Sequence, residues 1–339
     1  MTARVLVAIG ASAGGVEALQ AVVAGLPVDL DAAVLVVLHV PRSGPSALPR
    51  ILNRAGPLPA AHARDGEELT TGRIYIAPPD HHLLVLEGRI RLTHGPVENG
   101  HRPAIDVLFR SAARAAGPRT VAVTLSGARD DGAAGAAVVA RCGGQVLVQE
   151  PDEALYPSMP RSVIESTGDG QRHPAKELGG AIGRAVRQLN ELDDEVFQLP
   201  ADDRLTALEV AMADLTDHTV TELSDQPAGL ACPSCHGSLF ELAGEPSPRY
   251  RCWVGHAWSA RSLLDEQATA FESALWMALR SLEEKASLTR RMGVAATRRR
   301  SPGTAERYEA ITKESEQAAH LIREIITKLT DLNRRSVDG

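Results

Sequence analysis

Short apolar runs alternate with alanine-rich segments of helical spacing in the first half of the chain. The runs 5–9, 33–40 and 120–125 are apolar almost throughout, as is typical of strands that helices cover on both faces of a parallel sheet. This alternation predicts a doubly wound, Rossmann-like α/β domain over residues 1–190, with a mostly parallel sheet. The other predicted strands are 73–77, 83–86, 89–92 and 145–149, and the predicted helices are 15–25, 104–115, 132–140, 160–167 and 175–192.

The pattern changes beyond residue 190. Residues 191–225 hold eleven acidic residues and one basic residue, which predicts an acidic linker over 191–228. Farther on, apolar positions recur every three or four residues in two segments separated by a Ser-Pro-Gly break. This spacing predicts a helical hairpin or a dimeric coiled coil over 261–335, and both alternatives stay open. Either would support self-association or the docking of a signalling partner.

Charge and composition exclude several classes of protein. The chain has 339 residues, 44% hydrophobic and 23% charged, so it is expected to fold. Its 36 basic and 43 acidic residues give a net charge of −7, which argues against a nucleic-acid partner. No run approaches the ~18 apolar residues of a membrane span, and the run 5–9 is too short for a secretory signal. We therefore expect a cytoplasmic protein without membrane insertion.

Serine, histidine and aspartate follow three of the predicted strands. Ser12 lies in a glycine-rich turn between a strand and a helix, where it could be a helix cap, a nucleophile or part of a phosphate loop. His39 closes the second strand, and Asp130 and Asp131 follow the strand 120–125. Parallel strands end at one edge of a sheet, so these side chains are expected to converge. The convergence favours a serine hydrolase with His39 as general base and one of the two aspartates orienting it.

Five segments carry a resemblance to a known family. They read V-A-I-G-A-S-A-G-G, I-Y-I-A-P-P-D-H-H, H-R-P-A-I-D-V-L-F, L-S-G-A-R-D-D-G-A-A-G and S-M-P-R. The region 1–190 resembles the catalytic domain of the chemotaxis protein-glutamate methylesterases, the CheB family. The resemblance implies hydrolysis of glutamate γ-methyl esters on chemoreceptors, with release of methanol, no catalytic cofactor and, in some members, glutamine deamidation. It also implies that Ser12 is the nucleophile, His39 the base and Asp131, within D-G-A-A-G, the orienting acid.

The resemblance extends to the surroundings of these residues. It implies that backbone amides near Ala13 and Ala128 stabilise the oxyanion, although the family commonly has methionine at the second position. Family motifs around the cleft also match His81, His82, His101 and Arg102, which makes them candidate substrate contacts. Family members usually carry an N-terminal receiver domain, whereas this sequence begins at the first catalytic strand. We therefore expect regulation without a receiver domain in cis. The alternative function is a non-catalytic signalling adaptor that uses the α/β domain as a scaffold.

Three of the four cysteines lie close together near the end of the acidic stretch. Cys232 and Cys235 are followed, after sixteen residues, by Cys252 and His256, a C-x₂-C…C-x₃-H pattern typical of a structural zinc site. The pattern predicts a zinc ribbon over 229–260. The alternatives are a metal-free hairpin with buried thiols and a ligand set that uses His236.

Overall fold

The N-terminal part of the chain folds as alternating strands and helices. The structure is a computed structural model, and it describes residues 3–44, 46–168, 170–192, 204–216, 226–242 and 247–337. The strands of this part are β1 (Leu6–Ala11), β2 (Ala33–Leu38), β3 (Ala60–His62), β4 (Arg73–Ile76), β5 (His82–Leu86), β6 (Arg89–Thr93), β7 (Thr120–Thr124), β8 (Gln145–Gln149) and β9 (Gln171–His173). The helices are α1 (Gly15–Ala24), α2 (Leu48–Ala55), α3 (Ile105–Ala116), α4 (Ala133–Arg141), α5 (Ser158–Thr167) and α6 (Ala175–Asn190).

Seven of these strands form one parallel sheet in the order β3–β4–β2–β1–β7–β8–β9. Alternate residues of β1 enter different cores: Val7 and Ile9 pack with α1, α2 and α6, whereas Leu6 and Ala8 pack with α3, α4 and α5. Both faces of the sheet are therefore covered, which explains the continuous apolar runs. The predicted doubly wound α/β fold is confirmed.

The order in which strands are added to the sheet changes sides at β1. From β1 it continues to β2 on one side, and it later returns to β7 on the other side. Such a switch point leaves a crevice at the carboxyl ends of the strands, where α/β proteins commonly bind ligands. Ser12 follows β1, His39 follows β2 and Asp131 follows the strand β7.

Three short elements were not predicted. Strands β3 and β9 have three residues each, too few to show a hydrophobic period. Helix α2 begins with Leu-Pro, which the sequence pattern did not mark as a helix start. By contrast, the predicted hairpin around Glu87-Gly88 is confirmed, since β5 and β6 pair in antiparallel fashion. Both turn residues have positive φ, as a two-residue hairpin loop prefers.

Residues 204–216 of the acidic stretch and the cysteine-rich segment fold together with the α/β domain. The rest of the predicted linker over 191–228 lies mostly in 193–203 and 217–225, outside the described residues. Helix α7 (Arg204–Ala213) lies within the acidic stretch, and its Val210 and Ala213 pack with Val107 of α3. A four-stranded antiparallel sheet follows. Its strands are β10 (Pro227–Ala231), β11 (Ser238–Glu241), β12 (Arg249–Cys252) and β13 (Ala257–Ser259). We call this sheet the ribbon. It belongs to the first of two compact units, Met1–Leu263.

The second unit, Leu264–Gly339, contains helix α8 (Ala260–Arg298) beyond its first turn and helix α9 (Pro302–Val337). They lie antiparallel, because Leu279 packs with Ile326 while the hydroxyls of Thr289 and Thr312 share a hydrogen bond of 2.7 Å. The predicted helical hairpin therefore exists within one chain. Within the described part of the chain, no helix combines the length and apolar character that crossing a bilayer requires.

Candidate active site

Ser12 lies in the turn that links β1 to α1. Its amide donates to the Ser126 carbonyl at 3.0 Å, and its carbonyl accepts from the Gly15 amide at 2.9 Å, so both strand-end turns hold the residue. The helix cap is Gly14, which has φ 69°, and no side chain caps this helix end. Ser12 is thus not the cap that one reading of the sequence suggested, and its hydroxyl points to another partner.

His39 connects Ser12 to Asp131. Its Nδ1 lies 3.1 Å from the Ser12 Oγ, and its Nε2 lies 2.8 Å from the Asp131 Oδ2. An Nε2–H tautomer donates to the carboxylate and leaves the Nδ1 lone pair to accept the serine proton. The ring is turned the opposite way from that in trypsin-like proteases, but each nitrogen can perform the same chemistry.

Asp131 is an ionised carboxylate at a buried position. Its side chain is 1% exposed, and it accepts hydrogen bonds from the Ile105 amide at 2.6 Å and from the Asn99 amide group at 3.0 Å. Burial favours the neutral acid, but the hydrogen bond from His39 and the backbone donor at the start of α3 hold the pKa of Asp131 well below its usual range. The carboxylate can therefore stabilise a positive charge on His39.

Asp130, the neighbouring acid, points elsewhere. Its Oδ1 accepts from the hydroxyl of Ser259 at 2.8 Å and from that of Ser262 at 2.6 Å. Of the two adjacent aspartates, it is therefore Asp131 that contacts His39. Asp130 and Asp131 contact different parts of the protein because their side chains point in different directions from the same turn.

Asp106 is a second buried carboxylate that the sequence analysis missed. Its Oδ1 accepts from the amides of Gly132 and Gly135, and its Oδ2 accepts from Asn99 at 3.1 Å. Burial, together with the adjacent Asp131 carboxylate, raises the pKa of Asp106 to about 8. The sequence offers one sign of this role, because Asp106 is an acid in the first turn of α3, a helix whose other first-turn residues are apolar.

The four predicted substrate contacts have different surroundings. The His101 ring stacks on the His39 ring, with a centroid distance of 3.6 Å and an interplanar angle of 10°. Burial and the neighbouring His39 lower the pKa of His101 to about 3, so its ring is neutral. His82 is buried, and its ring nitrogens bond the Pro96 carbonyl and the Ala104 amide. Its surroundings are those of a structural residue.

Arg102 and His81 lie on the rim of this region. The Arg102 guanidinium donates to Asp80 at 2.8 Å and also to the carbonyls of His94 and Gly95. The His81 Nδ1 lies 2.9 Å from the Pro79 carbonyl. The Arg102 guanidinium therefore links the loop that contains Asp80 to the loop that contains His94 and Gly95.

The turn at Ser126–Ala128 packs closely against Ser12. A Cβ placed on Gly127 would lie 2.9 Å from the Ser12 Cβ and 2.0 Å from the buried Met159 sulfur. Only glycine permits this approach. The Ser126 hydroxyl donates to the Ala13 carbonyl at 2.8 Å, which joins the two turns whose amides are the predicted oxyanion donors.

Cys232, Cys235, Cys252 and His256 form a cluster in the ribbon. Their ligand atoms all lie within 4.8 Å of one another, and the Cys235 and Cys252 sulfurs are 3.6 Å apart. Tetrahedral zinc, with Zn–S bonds of about 2.3 Å, requires sulfurs about 3.8 Å apart. The cluster is therefore compatible with a metal site. His236 is exposed and stands outside this cluster.

Trp258 adds a second indication of a metal site. Its indole N–H is buried and has no hydrogen-bond acceptor among the described residues, and the side chain packs in one core with Cys232 and Cys252. A thiolate held by a metal is an acceptor for such an N–H group. The donor set and its surroundings fit zinc.

These features define an α/β domain with a serine–histidine–aspartate site at the carboxyl edge of its sheet. The CheB methylesterase family model matches residues 7–182, slightly more than half of the chain. The chain belongs to the CheB methylesterase family. The predicted family membership is confirmed.

Individual relatives agree with this assignment. The chain is 38% identical over 184 residues to the protein-glutamate methylesterase/protein-glutamine glutaminase of Symbiobacterium thermophilum, covering 54% of this chain and 51% of that protein. It is 34% identical over 192 residues to the protein-glutamate methylesterase/protein-glutamine glutaminase 2 of Methanosarcina mazei, covering 54% of this chain and 52% of that protein. The chain thus spans about half the length of the curated relatives it matches.

A solved structure shows the same fold. The crystal structure of the Thermotoga maritima CheB methylesterase catalytic domain is similar with a TM-score of 0.51 and 33% identity. The match covers 53% of this chain and 97% of that domain. The α/β region is therefore the part of the chain that corresponds to a CheB catalytic domain.

Proposed function

We propose that this chain is a protein-glutamate methylesterase that hydrolyses glutamate γ-methyl esters on chemoreceptor-type proteins and releases methanol. The observation that carries the proposal is the bridge that His39 makes between the Ser12 hydroxyl and the Asp131 carboxylate. Family membership supports the same reaction. The names of the relatives extend the proposal to deamidation of glutamine, which uses the same acyl chemistry.

The first half of the reaction forms an acyl-enzyme. The Ser12 Oγ attacks the ester carbonyl carbon while the His39 Nδ1 takes the hydroxyl proton. The tetrahedral intermediate then expels methoxide, which receives that proton from His39 and leaves as methanol. Asp131 stabilises the imidazolium between these two proton transfers.

The second half regenerates the enzyme. Water attacks the acyl carbon and gives a proton to His39, and the Ser12 oxygen leaves and recovers that proton. The products are the free glutamate side chain and the original serine. For glutamine, the leaving group is ammonia and the later steps are the same.

We propose the backbone amides near Ala13 and Ala128 as donors to the oxyanion. Each lies in one of the two turns that meet at Ser12. Losing one oxyanion donor typically costs about 2.7–4 kcal/mol of transition-state stabilisation. Of the remaining predicted contacts, His101 is the one that we propose to touch substrate. The Arg102 guanidinium is occupied by Asp80 and two carbonyls.

The test of this function is methanol release from methylated chemoreceptor fragments. We expect the full chain to release methanol in proportion to the glutamate carboxylates formed, because each turnover cleaves one ester. The same fragments with glutamate in place of the methyl ester serve as the control. A folded protein that binds the fragments without releasing methanol would instead support the scaffold adaptor.

We propose that Cys232, Cys235, Cys252 and His256 hold one structural zinc ion. Four protein ligands leave no open coordination position, so the ion would order the ribbon and take no part in hydrolysis. Reduced cysteines of this kind fit a reducing compartment such as the cytoplasm.

Metal analysis of the full chain, purified without chelators, tests this site. We expect about one zinc per chain and its loss in Cys232→Ser, because that variant lacks a buried ligand. Cys142→Ser is the matched control, since this buried cysteine lies in the α/β domain. A metal-free wild-type protein would remove the zinc from the proposal.

We propose the α8–α9 hairpin as a surface for self-association or for a signalling partner. Phe271, Trp276 and Met277 are more than half exposed on α8, and large apolar side chains at such positions are typical of contact sites.

A further inference from the structure

Residues 97–101, which we call the bridging segment, connect the ribbon to the candidate active site. On its outer side the segment pairs with β13. The Ala257 amide donates to the Val97 carbonyl at 3.1 Å, and the Asn99 amide donates to the Ala257 carbonyl at 2.8 Å. The Ser259 amide also donates to the Asn99 Oδ1 at 2.8 Å. The side chain of Asn99 is thereby fixed by the ribbon.

On its inner side the same segment contacts both the acid and the base. The Asn99 Nδ2 donates to the Asp131 Oδ1 at 3.0 Å and to the Asp106 Oδ2 at 3.1 Å. Two residues later, His101 stacks on His39. Asn99 is 3% exposed, so water does not compete for these bonds.

A buried cluster of charges holds the ribbon in place. Glu98 of the bridging segment bonds Arg110 of α3 and, at 2.6 Å, Arg251 of β12. Glu209 of α7 bonds the same Arg251 at 2.8 Å and also Arg249. Each of these five side chains is at most 8% exposed. Separating the ribbon from the domain would leave buried charges unpaired, which is strongly unfavourable.

The end of the ribbon and the start of α8 also contact the turn that carries the catalytic acid. The hydroxyls of Ser259 in β13 and Ser262 in the first turn of α8 both donate to Asp130, and Asp130 is the neighbour of Asp131. Asp131 is therefore constrained twice, once through its own carboxylate and once through the adjacent residue.

Trp258 links the bridging segment to the cysteine cluster. It lies on β13 and packs in one small core with Cys232 and Cys252. The ring also lies beside Gly100, since a Cβ added there would be 3.7 Å from it. The ring is therefore next to both the cysteine cluster and the segment that carries Asn99 and His101.

We propose that the ribbon positions the acid–base pair of the active site, with Asn99 and Trp258 as positioning residues that act through Asp131 and His39. This inference rests on the proposed hydrolase function. Neither residue touches the reacting atoms, so their loss should reduce turnover and leave substrate binding largely intact. The ribbon thus contributes to turnover by holding Asp131 and His39 in position.

Asn99 variants test the link from the segment side. Asn99 has φ 51°, so we choose Asn99→Gly and Asn99→Asp, which both tolerate this backbone. Both lose the amide donor to Asp131, and we expect kcat to fall about tenfold to a hundredfold with little change in KM. If Asn99 only shaped the turn, both variants would keep full turnover, and this result would overturn the proposal. Glu87→Gly, at a positive-φ position in the β5–β6 turn, is the matched control and should behave as wild type.

Trp258→Ala tests the link from the ribbon side, with hydrogen exchange as a readout that needs no substrate. In the full chain we expect faster exchange in the segments 97–101 and 130–132, together with slower fluorophosphonate labelling of Ser12. Trp253→Ala is the matched control, because that tryptophan is on the same ribbon but 60% exposed. Faster exchange confined to the ribbon, with unchanged labelling, would contradict the proposal. Failure of wild type to be labelled would instead count against the hydrolase function, while the exchange data would still report on the coupling.

Discussion

Ser12→Ala will abolish both methanol release and labelling by a fluorophosphonate probe. The hydroxyl is the group that His39 Nδ1 contacts at 3.1 Å, and no acyl-enzyme can form without it. We expect turnover to fall about 10⁴-fold or more, as for the loss of a nucleophile from comparable triads. The measurement is the rate of methanol formation, with circular dichroism to verify folding.

A second serine provides the control for this variant. Ser166 donates its hydroxyl to the carbonyls of Ala133 and Val163, away from His39. Ser166→Ala should therefore keep both labelling and turnover. If Ser12→Ala were still labelled at the wild-type rate, another nucleophile would be responsible and the mechanism proposed above would be wrong.

Asp131→Asn will reduce turnover far more than Asp130→Asn. The Asp131 carboxylate accepts hydrogen bonds from His39, Ile105 and Asn99, whereas an amide has one acceptor oxygen. The substitution places an N–H against one of these donors and favours the wrong histidine tautomer. We expect a loss of about 10³–10⁴-fold in kcat, the scale seen when a triad aspartate becomes asparagine.

The neighbouring substitution is a matched control in the same turn. In Asp130→Asn the amide oxygen can still accept from Ser259 and Ser262, which are its partners in the wild type. Its loss of turnover should be small by comparison. Equal losses in the two variants would mean that the turn, and not the Asp131 contact with His39, is what hydrolysis requires.

Much of this site was predictable because parallel strands share one direction. Ser12, His39 and the two aspartates each follow an apolar run, so their arrival at one edge of the sheet follows from the doubly wound fold. Asn99 and Asp106 gave no comparable signal. Asn99 lies in a loop between two elements, and only its contacts with Asp131 and β13 distinguish it from a solvent-exposed asparagine.

The helical hairpin shows a different limit. The spacing predicts contact positions every three or four residues, among them Phe271, Ile325 and Ser315. In the structure Phe271 and Ile325 are 53% and 43% exposed, whereas Ser315 is buried, and so is Thr312, which the spacing did not include. The Thr312 hydroxyl bonds that of Thr289 on the other helix, whereas the Ser315 hydroxyl donates to the Ile311 carbonyl within α9. Because the bond between Thr312 and Thr289 forms only when the two helices pack, a hydrophobic period does not reveal it.

The amino-acid order by itself determined the class of fold and the chemistry at the strand ends, since both depend on local patterns of a few residues. The strand ends by themselves left two aspartates open, and the family resemblance indicated Asp131; the tertiary structure shows that Asp131 contacts His39, and it alone decided that the ribbon reaches the site. The second result rests on bonds such as that between Arg251 and Glu98, which lie 153 positions apart. A buried guanidinium and carboxylate at that separation are, in the sequence, indistinguishable from two solvated charges. Only packing brings them together and removes the water between them.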